Sequence, residues 1–211
     1  WLNASVTHSA IELPMPVGFW RSVGHSHQAF FKESFIDEVA HAAKQDPLAF
    51  RLSLLQKHPR HARVLQLAAD KSGWKTTSYK HADGSLRAMG LALHESFGSI
   101  VAQVVEVSVK GGKPQVHKVW CAIDCGTVVS PDIVKAQMEG GIVYGLSALL
   151  YGEINVERGE IVHLRAVPET EVASFYAGAD LLVLSSAGVH DGHVDANLLA
   201  EFVSCPVLLL P

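Results

Sequence analysis

The sequence predicts an α+β fold, in which a helical cluster packs on an antiparallel sheet. Three observations carry this. Between residues 30 and 71 the apolar side chains recur at helical spacing; after Gly84 they alternate and turn β-branched; after Ser130 they return to a helical pattern.

The elements follow in order. From Phe30 to Ala43, Phe31, Phe35, Ile36, Val39 and Ala43 mark the apolar face of a surface helix, with Lys32, Glu33, Asp37, Glu38 and His41 between them. In "QDPLAFRLSLL", Asp46 caps a second helix and Pro47 takes its first position; that helix runs to about His58-Pro59. A third is expected from His61 to Lys71, stopped by Ser72-Gly73. "AMGLALHESFG", "SIVAQVVEVSVKGG" and "KPQVHKVWCAIDCG" are the strands, and Gly111-Gly112 is a hairpin signal. Ser130 then caps a helix with Pro131 at its first position, and "YGEINVERGEIVHL" is one more hairpin, turning at Arg158-Gly159. Beyond about residue 164 the pattern changes: a short helix from Pro168, an apolar run Leu181 to Leu184 fit for a buried parallel strand, then a helix and another buried strand in "NLLAEFVSCPVLLLP". The expected division is residues 1–164 as one unit and 165–211 as a divergent tail.

Composition removes several functions. A length of 211 residues, 48% hydrophobic and 18% charged, is an ordinary globular balance. A net charge of −4 without a Lys/Arg run leaves no footprint for nucleic acid. No apolar stretch approaches the ~20 residues of a spanning helix. "WLNASVTHSAIELPMP" lacks the build of a signal peptide, so no export signal is expected in this chain, and periplasm and cytoplasm both stay open. Cys121, Cys125 and Cys205 make neither a disulfide framework nor a zinc spacing and read as small buried residues.

Two stretches carry chemistry. "GFWRSVGHSHQAFFKESFIDEVA" crowds an arginine, a glycine and two histidines into the turn before a helix, where free N–H groups and a guanidinium fork suit an anion. His25 and His27 alone lack the third ligand a metal site needs, so no protein metal site is expected. "AIDCGTVVSPDIVKAQMEGGIVYGLSALLYGEI" sets an Asp-Cys-Gly turn, a Ser-Pro cap and Gln137-Met138-Glu139-Gly140-Gly141 in succession. Glycines within a helix cost ~1 kcal/mol each against alanine unless something approaches closely. Tight packing of this helix on the sheet is one explanation of them, and a ligand is the other.

Over about Pro16 to Val162 these stretches resemble the molybdenum-binding large subunit of the xanthine oxidase family, and most of all its isoquinoline 1-oxidoreductase type. The resemblance implies a molybdopterin cofactor, as the cytosine dinucleotide, contacted by Phe19, Trp20, Arg21, Ser22 and Gly24 of the turn and by Gln137, Gly140 and Gly141 of the helix. In the xanthine oxidase form Ser22, Val23 and His25 would be glycine, phenylalanine and glycine, which leaves the roles of His25 and His27 open. Molybdenum would be held by the dithiolene sulfurs of the pterin. The implied activity is oxidation of N-heterocycles or aldehydes with water-derived oxygen, with electrons leaving to a small [2Fe-2S] subunit and a cytochrome c after it. The family's Gly-x-Gly-Glu general base does not occur here, so no catalytic residue is assigned and a catalytically silent fragment is the rival expectation. As part of a larger subunit the chain should expose apolar surface along the Gly140 to Ala148 helix and the Ile100 to Val109 strand. In the tail, "VPETEVASFYAGADLLVLSS" is similar to a stretch of the nucleotide-binding half of GT-B glycosyltransferases, so a chimaera is a further possibility.

Overall fold

The computed structural model describes residues 20–158 and 160–165, isolated residues before them (5, 7–10, 12 and 18), and two short strands at 182–184 and 207–209. Phe19 and the helices expected in the tail lie outside the described residues. The elements are helices α1 (His25–Ala42), α2 (Pro47–Leu54), α3 (Pro59–Ser72) and α4 (Pro131–Tyr151). The strands are β1 (Tyr79–Lys80), β2 (Leu86–Ser96), β3 (Ser99–Lys110), β4 (Lys113–Asp124), β5 (Glu153–Glu157), β6 (Glu160–Arg165), β7 (Leu182–Leu184) and β8 (Val207–Leu209). They form two compact units: Phe19–Val129, and Trp1–Gly18 with Ser130–Pro211.

In the first unit the sheet has the order β1-β2-β3-β4, antiparallel throughout. The hairpin expected at Gly111-Gly112 forms, with φ of 58° and 76°, the left-handed pair that a two-residue turn needs. The second tight turn, Phe97-Gly98, is also left-handed, a conformation uncommon for a side chain as bulky as that of Phe97. β1 is an edge strand of two residues, too short for any periodicity to announce.

β3 is the central strand. Ile100, Ala102, Val104 and Glu106 face inward, and the first three are at most 1% exposed. The expectation of exposed apolar surface along Ile100 to Val109 is therefore corrected for the inward face; on the other face Val101, Val105 and Val107 are half-buried, and Val109 at the end is exposed. The reason is position, since a strand paired on both sides and covered by a helix presents its alternate residues to the core.

α3 supplies that cover. Val64, Leu65 and Ala68 pack with Leu91, Leu93, Ile100, Ala102, Val104 and Ala122 into one cluster. Pro59 starts the helix and Gly73 ends it in the left-handed conformation, with Trp74 N–H donating to Ala69 O (3.1 Å) and Gly73 N–H to Asp70 O (3.3 Å). α2 is capped as expected: Asp46 Oδ1 accepts from Ala49 N–H at 2.8 Å. It stops at Leu54, earlier than the sequence pattern suggests.

α1 differs from its expectation in two ways. It begins at His25, five residues before Phe30, because Gly24 already has helical dihedrals (φ −69°, ψ −15°). Its buried residues are Glu33 and Ala40, while Phe31 and Phe35 are 62% and 59% exposed. A carboxylate takes the inward position because partners wait for it there. Arg51 Nε donates to Glu33 Oε2 (2.9 Å), as does the backbone N–H of Leu93 (2.8 Å), and Arg51 also bonds Asp37 Oδ1 (2.6 Å), Glu33 O (3.0 Å) and Pro47 O (3.2 Å). A second buried pair, Arg87 with Glu106, joins β2 to β3, with Tyr79 donating to the same carboxylate. Burial alone would push Glu106 up; the Tyr79 and Arg87 hydrogen bonds outweigh it and hold the carboxyl below its ordinary value.

In the second unit α4 runs 21 residues with Ser130 at its N-cap position and Pro131 at its start, but the expected cap is corrected, since the Ser130 side chain makes no capping hydrogen bond; β5 and β6 form the expected hairpin beside a left-handed Arg158. The apolar run near Leu181 does form a strand. β7 pairs β8 in parallel, Leu182 opposite Val207.

Candidate functional site

The chain reverses direction at Trp20 to Gly24, just ahead of α1. Val23 N–H donates to Trp20 O and His25 N–H to Ser22 O, both at 3.0 Å. The Ser22 hydroxyl bonds Arg21 O, and Ser26 Oγ donates to Val23 O at 3.1 Å. Ser22 and Val23 are both left-handed, at φ 70° and 52°. Such a conformation costs ~1–3 kcal/mol per residue, and for a β-branched valine it is a clear outlier. Strain of this kind concentrates where a ligand is bound.

Gly24 adds a second sign. Its dihedrals are open to every residue, and a Cβ there would meet only the side-chain ends of Gln28 (3.4 Å) and His27 (3.7 Å). Among the described residues neither backbone nor packing requires glycine, whereas a ligand drawn against the turn would. Gly24 makes no side-chain cap and the first turn of α1 has no acidic residue, so no side chain of that turn offsets the positive end of the helix dipole. Arg21 is exposed beside it. The donor set is cationic and N–H rich, which fits the phosphate and polar edges of a pterin cofactor.

His25 and His27, expected in a loop, stand instead in the first turn of α1. His25 Nδ1 lies 3.0 Å from Nε2 of His94 on β2, and its ring meets His94 and Phe97 edge-on, each at 5.2 Å between centroids. Lys32 Nζ donates to Leu93 O (3.0 Å) and reaches His94 Nδ1 (3.4 Å) and Glu33 Oε1 (3.2 Å). Burial, aided by the charge of Lys32 and the neighbouring His25, pushes His94 below its ordinary value. Behind this cluster α1, α2, α3 and β2 enclose a cleft of about 330 Å³, bounded by Ile36, Leu55, His61 and Glu95 among others. His61 Nε2 sits 2.8 Å from Glu95 Oε2 at its rim.

The second signature stretch begins at the end of β4. Arg60, in the first turn of α3, grips Asp124 with both arms of its fork (2.9 and 2.8 Å), and Gly126 N–H donates to Asp124 Oδ1 at 3.1 Å. The Arg60 hydrogen bond, then that of Gly126, hold the Asp124 carboxyl well below the usual range. Asp124 thus fixes the Asp-Cys-Gly turn and is no proton acceptor near neutrality. Burial pushes the neighbouring Cys121 thiol up to about 11, although Cys121 and Cys125, expected as small buried residues, are only half-buried.

On α4, Gln137 and Gly140 are three residues apart and Gly141 four, so all three share one helix face. No residue of α4 is buried; Gln137 is exposed, and Glu139 pairs with Lys135 at 3.6 Å. Trp20, Arg21, Ser22 and Gly24 are brought together in the first unit, and Gln137, Gly140 and Gly141 in the second. Sequence reading missed Glu33, Arg51, His94 and the Arg60–Asp124 pair. Only Glu33 and Asp37, four apart on one helix, offered a signal.

The family model described as "Molybdopterin cofactor-binding domain" matches residues 27–166. The chain belongs to that family. Within the molybdopterin cofactor-binding domain the α+β class and the likeness to the xanthine oxidase family both hold. The chain is 40% identical over 149 residues to the beta chain of isoquinoline 1-oxidoreductase from Brevundimonas diminuta, covering 70% of this chain and 19% of that protein. It is 34% identical over 163 residues to the membrane-bound aldehyde dehydrogenase [pyrroloquinoline-quinone] of Gluconacetobacter polyoxogenes (67% and 20%). One subunit of the nicotinate dehydrogenase of Pseudomonas putida is 29% identical (70% and 14%). The chain thus spans a fifth or less of the length of these curated relatives. No solved structure matches. Among the described residues no helix is long and apolar enough to cross a membrane.

Proposed function

We propose that this chain is part of the cofactor-holding subunit of a molybdenum hydroxylase that oxidises N-heterocycles or aldehydes with water-derived oxygen. The single observation that carries the reading is the strained, uncapped turn at Trp20 to Gly24, whose glycine nothing among the described residues requires. The family match and the printed names of the relatives, an isoquinoline oxidoreductase, an aldehyde dehydrogenase and a nicotinate dehydrogenase, support the reaction class. One relative is named for pyrroloquinoline quinone; the family match is the reason for choosing molybdopterin, in its cytosine dinucleotide form.

In this reading the bound cofactor supplies a molybdenum centre that accepts two electrons from the substrate. The chain's own residues bind and orient. Arg21, the N–H groups at the start of α1 and Ser22 hold anionic and carbonyl oxygens; Trp20 covers them; Gly24 admits the close approach. Gln137 donates from α4, while Gly140 and Gly141 add no side chain to that face. A small [2Fe-2S] subunit, with a cytochrome c after it, takes the electrons; that two of the relatives are named as single subunits of their enzymes supports a partnered assembly. Residues 1–164 are the cofactor-domain part and 165–211 a tail of separate character. The family match, which ends at residue 166, supports that division.

The test is metal and pterin analysis of the protein carrying this domain, isolated from a cofactor-replete host. Molybdenum and pterin in equal amounts are expected, and both fall in the Arg21→Ala variant. Folded protein free of pterin overturns the reading.

A further inference from the structure

The contacts around His94 leave little freedom in where its proton sits. An ammonium only donates, so the nitrogen facing Lys32 Nζ, Nδ1 of His94 at 3.4 Å, is an acceptor carrying no hydrogen. A neutral imidazole bears one hydrogen, which is then on Nε2. That nitrogen is 3.0 Å from His25 Nδ1, so His94 donates and His25 Nδ1 accepts. His25, neutral in turn, carries its own hydrogen on Nε2. The three donors of Lys32 are matched by Leu93 O, Glu33 Oε1 and His94 Nδ1, which holds the ammonium in place to set the direction of the chain. The histidines are 69 residues apart in sequence, and the arrangement exists only because α1 crosses β2 at this point.

We propose that Lys32 and His94 are positioning residues that lock His25, the residue that follows the turn holding Arg21 and Gly24, as the neutral Nε2–H tautomer, so that its Nε2 is a hydrogen-bond donor without a lone pair. The nature of the acceptor rests on the molybdopterin reading above; the tautomer does not. A histidine so fixed neither ligates a metal through Nε2 nor acts there as a base. It recognises an acceptor oxygen, such as a phosphate or a ring carbonyl.

The lock depends on His94 staying neutral. The groups that face it are His25, Lys32 and Glu33 from α1, Glu95 beside it on β2, Arg51 of α2 and His61 of α3 across the cleft. Two of the nearest, Lys32 and His25, disfavour a second positive charge, and burial acts the same way. Protonating His94 would set an N–H against Lys32 and break the chain at its origin.

Long-range proton–nitrogen spectra of the chain labelled in histidine nitrogen, assigned by single His→Gln substitutions, read the tautomers directly. At pH 7.5 both His25 and His94 should be neutral with hydrogen on Nε2. In Lys32→Met, His94 should populate both tautomers, His25 should follow, and the His94 midpoint should rise; Lys32→Arg should restore the single tautomer. Hydrogen on Nδ1 of either histidine in the unsubstituted chain overturns the proposal, and that spectrum decides even if Lys32→Met fails to fold. So does a folded Lys32→Met chain with His25 unchanged. In pterin-loaded protein the His25 Nε2 signal should shift with the tautomer kept, and a loaded protein with that signal unmoved removes the donor role. Chain with both tautomers as stated that never carries pterin contradicts the cofactor reading and leaves the lock standing.

Discussion

Helices α3 and α1 lie in the same unit and pack on the same sheet, yet they are held by opposite means. α3 puts Val64, Leu65, Ala68 and Ala69 inward and ends on a glycine in a left-handed cap. α1 puts Glu33 inward, fastened by Arg51 and by the Leu93 N–H, and leaves Phe30, Phe31 and Phe35 outside. One helix is finished within this chain. The other is anchored by charge, which frees its apolar side and its uncapped first turn for something else.

The difference makes the two helices fail differently. The largest effect is expected from Arg51→Ala, which strands the buried Glu33 carboxylate and should cost ~3–5 kcal/mol in a denaturant titration. Hydrogen exchange should then show α1 opening ahead of α3. Leu65→Ala, emptying a fully buried position in the core, should cost ~2–5 kcal/mol and loosen α3 and β3 together. If Arg51→Ala cost no more than a surface substitution, the contrast between the helices would be gone.

Smaller effects sharpen the contrast. Ser22→Gly relieves a left-handed serine and should stabilise the chain by ~0.5–1 kcal/mol, since glycine adopts that conformation freely. Acid should reach α1 through His94. Its protonation is disfavoured in the folded chain, so the unfolded chain takes up the proton first and stability should fall as pH drops below about 6.5. Lys32→Met should flatten that slope in a series of unfolding titrations from pH 8 to 5. Phe31→Ser and Phe35→Ser should shift stability within ~0.5 kcal/mol, because both rings are already exposed. Dye binding to apolar surface should drop in the same variants.

The same contrast explains how much of the fold was legible. α3, the Gly111-Gly112 hairpin, the long strands and α4 follow from local rules, apolar periodicity plus a starting proline or a turn glycine, and the structure agrees with them, though Ser130 makes no side-chain cap. For α1 the rule picked the wrong face. It counts a carboxylate as surface and a phenylalanine as core, and the arginine that reverses this lies 18 residues on. The exposed Ile100 to Val109 strand failed for a related reason, since nothing in a strand's own residues says it will be central and covered. At the site, motif resemblance located the turn. Its strain, the room for a side chain at Gly24 among the described residues, and the meeting of His25 with His94 are facts of three-dimensional approach.

The central claim, that the start of α1 is shaped by a cofactor and not by the chain's own packing, is tested most directly by Gly24→Ala. The added methyl has room among the described residues and sits at a helical position, so the unfolding midpoint should stay within error or rise slightly. Pterin content per folded chain, measured on the same preparation, should fall by about tenfold, as a loss of ~1.4 kcal/mol in binding implies. A Gly24→Ala protein that keeps its full pterin content would contradict the account.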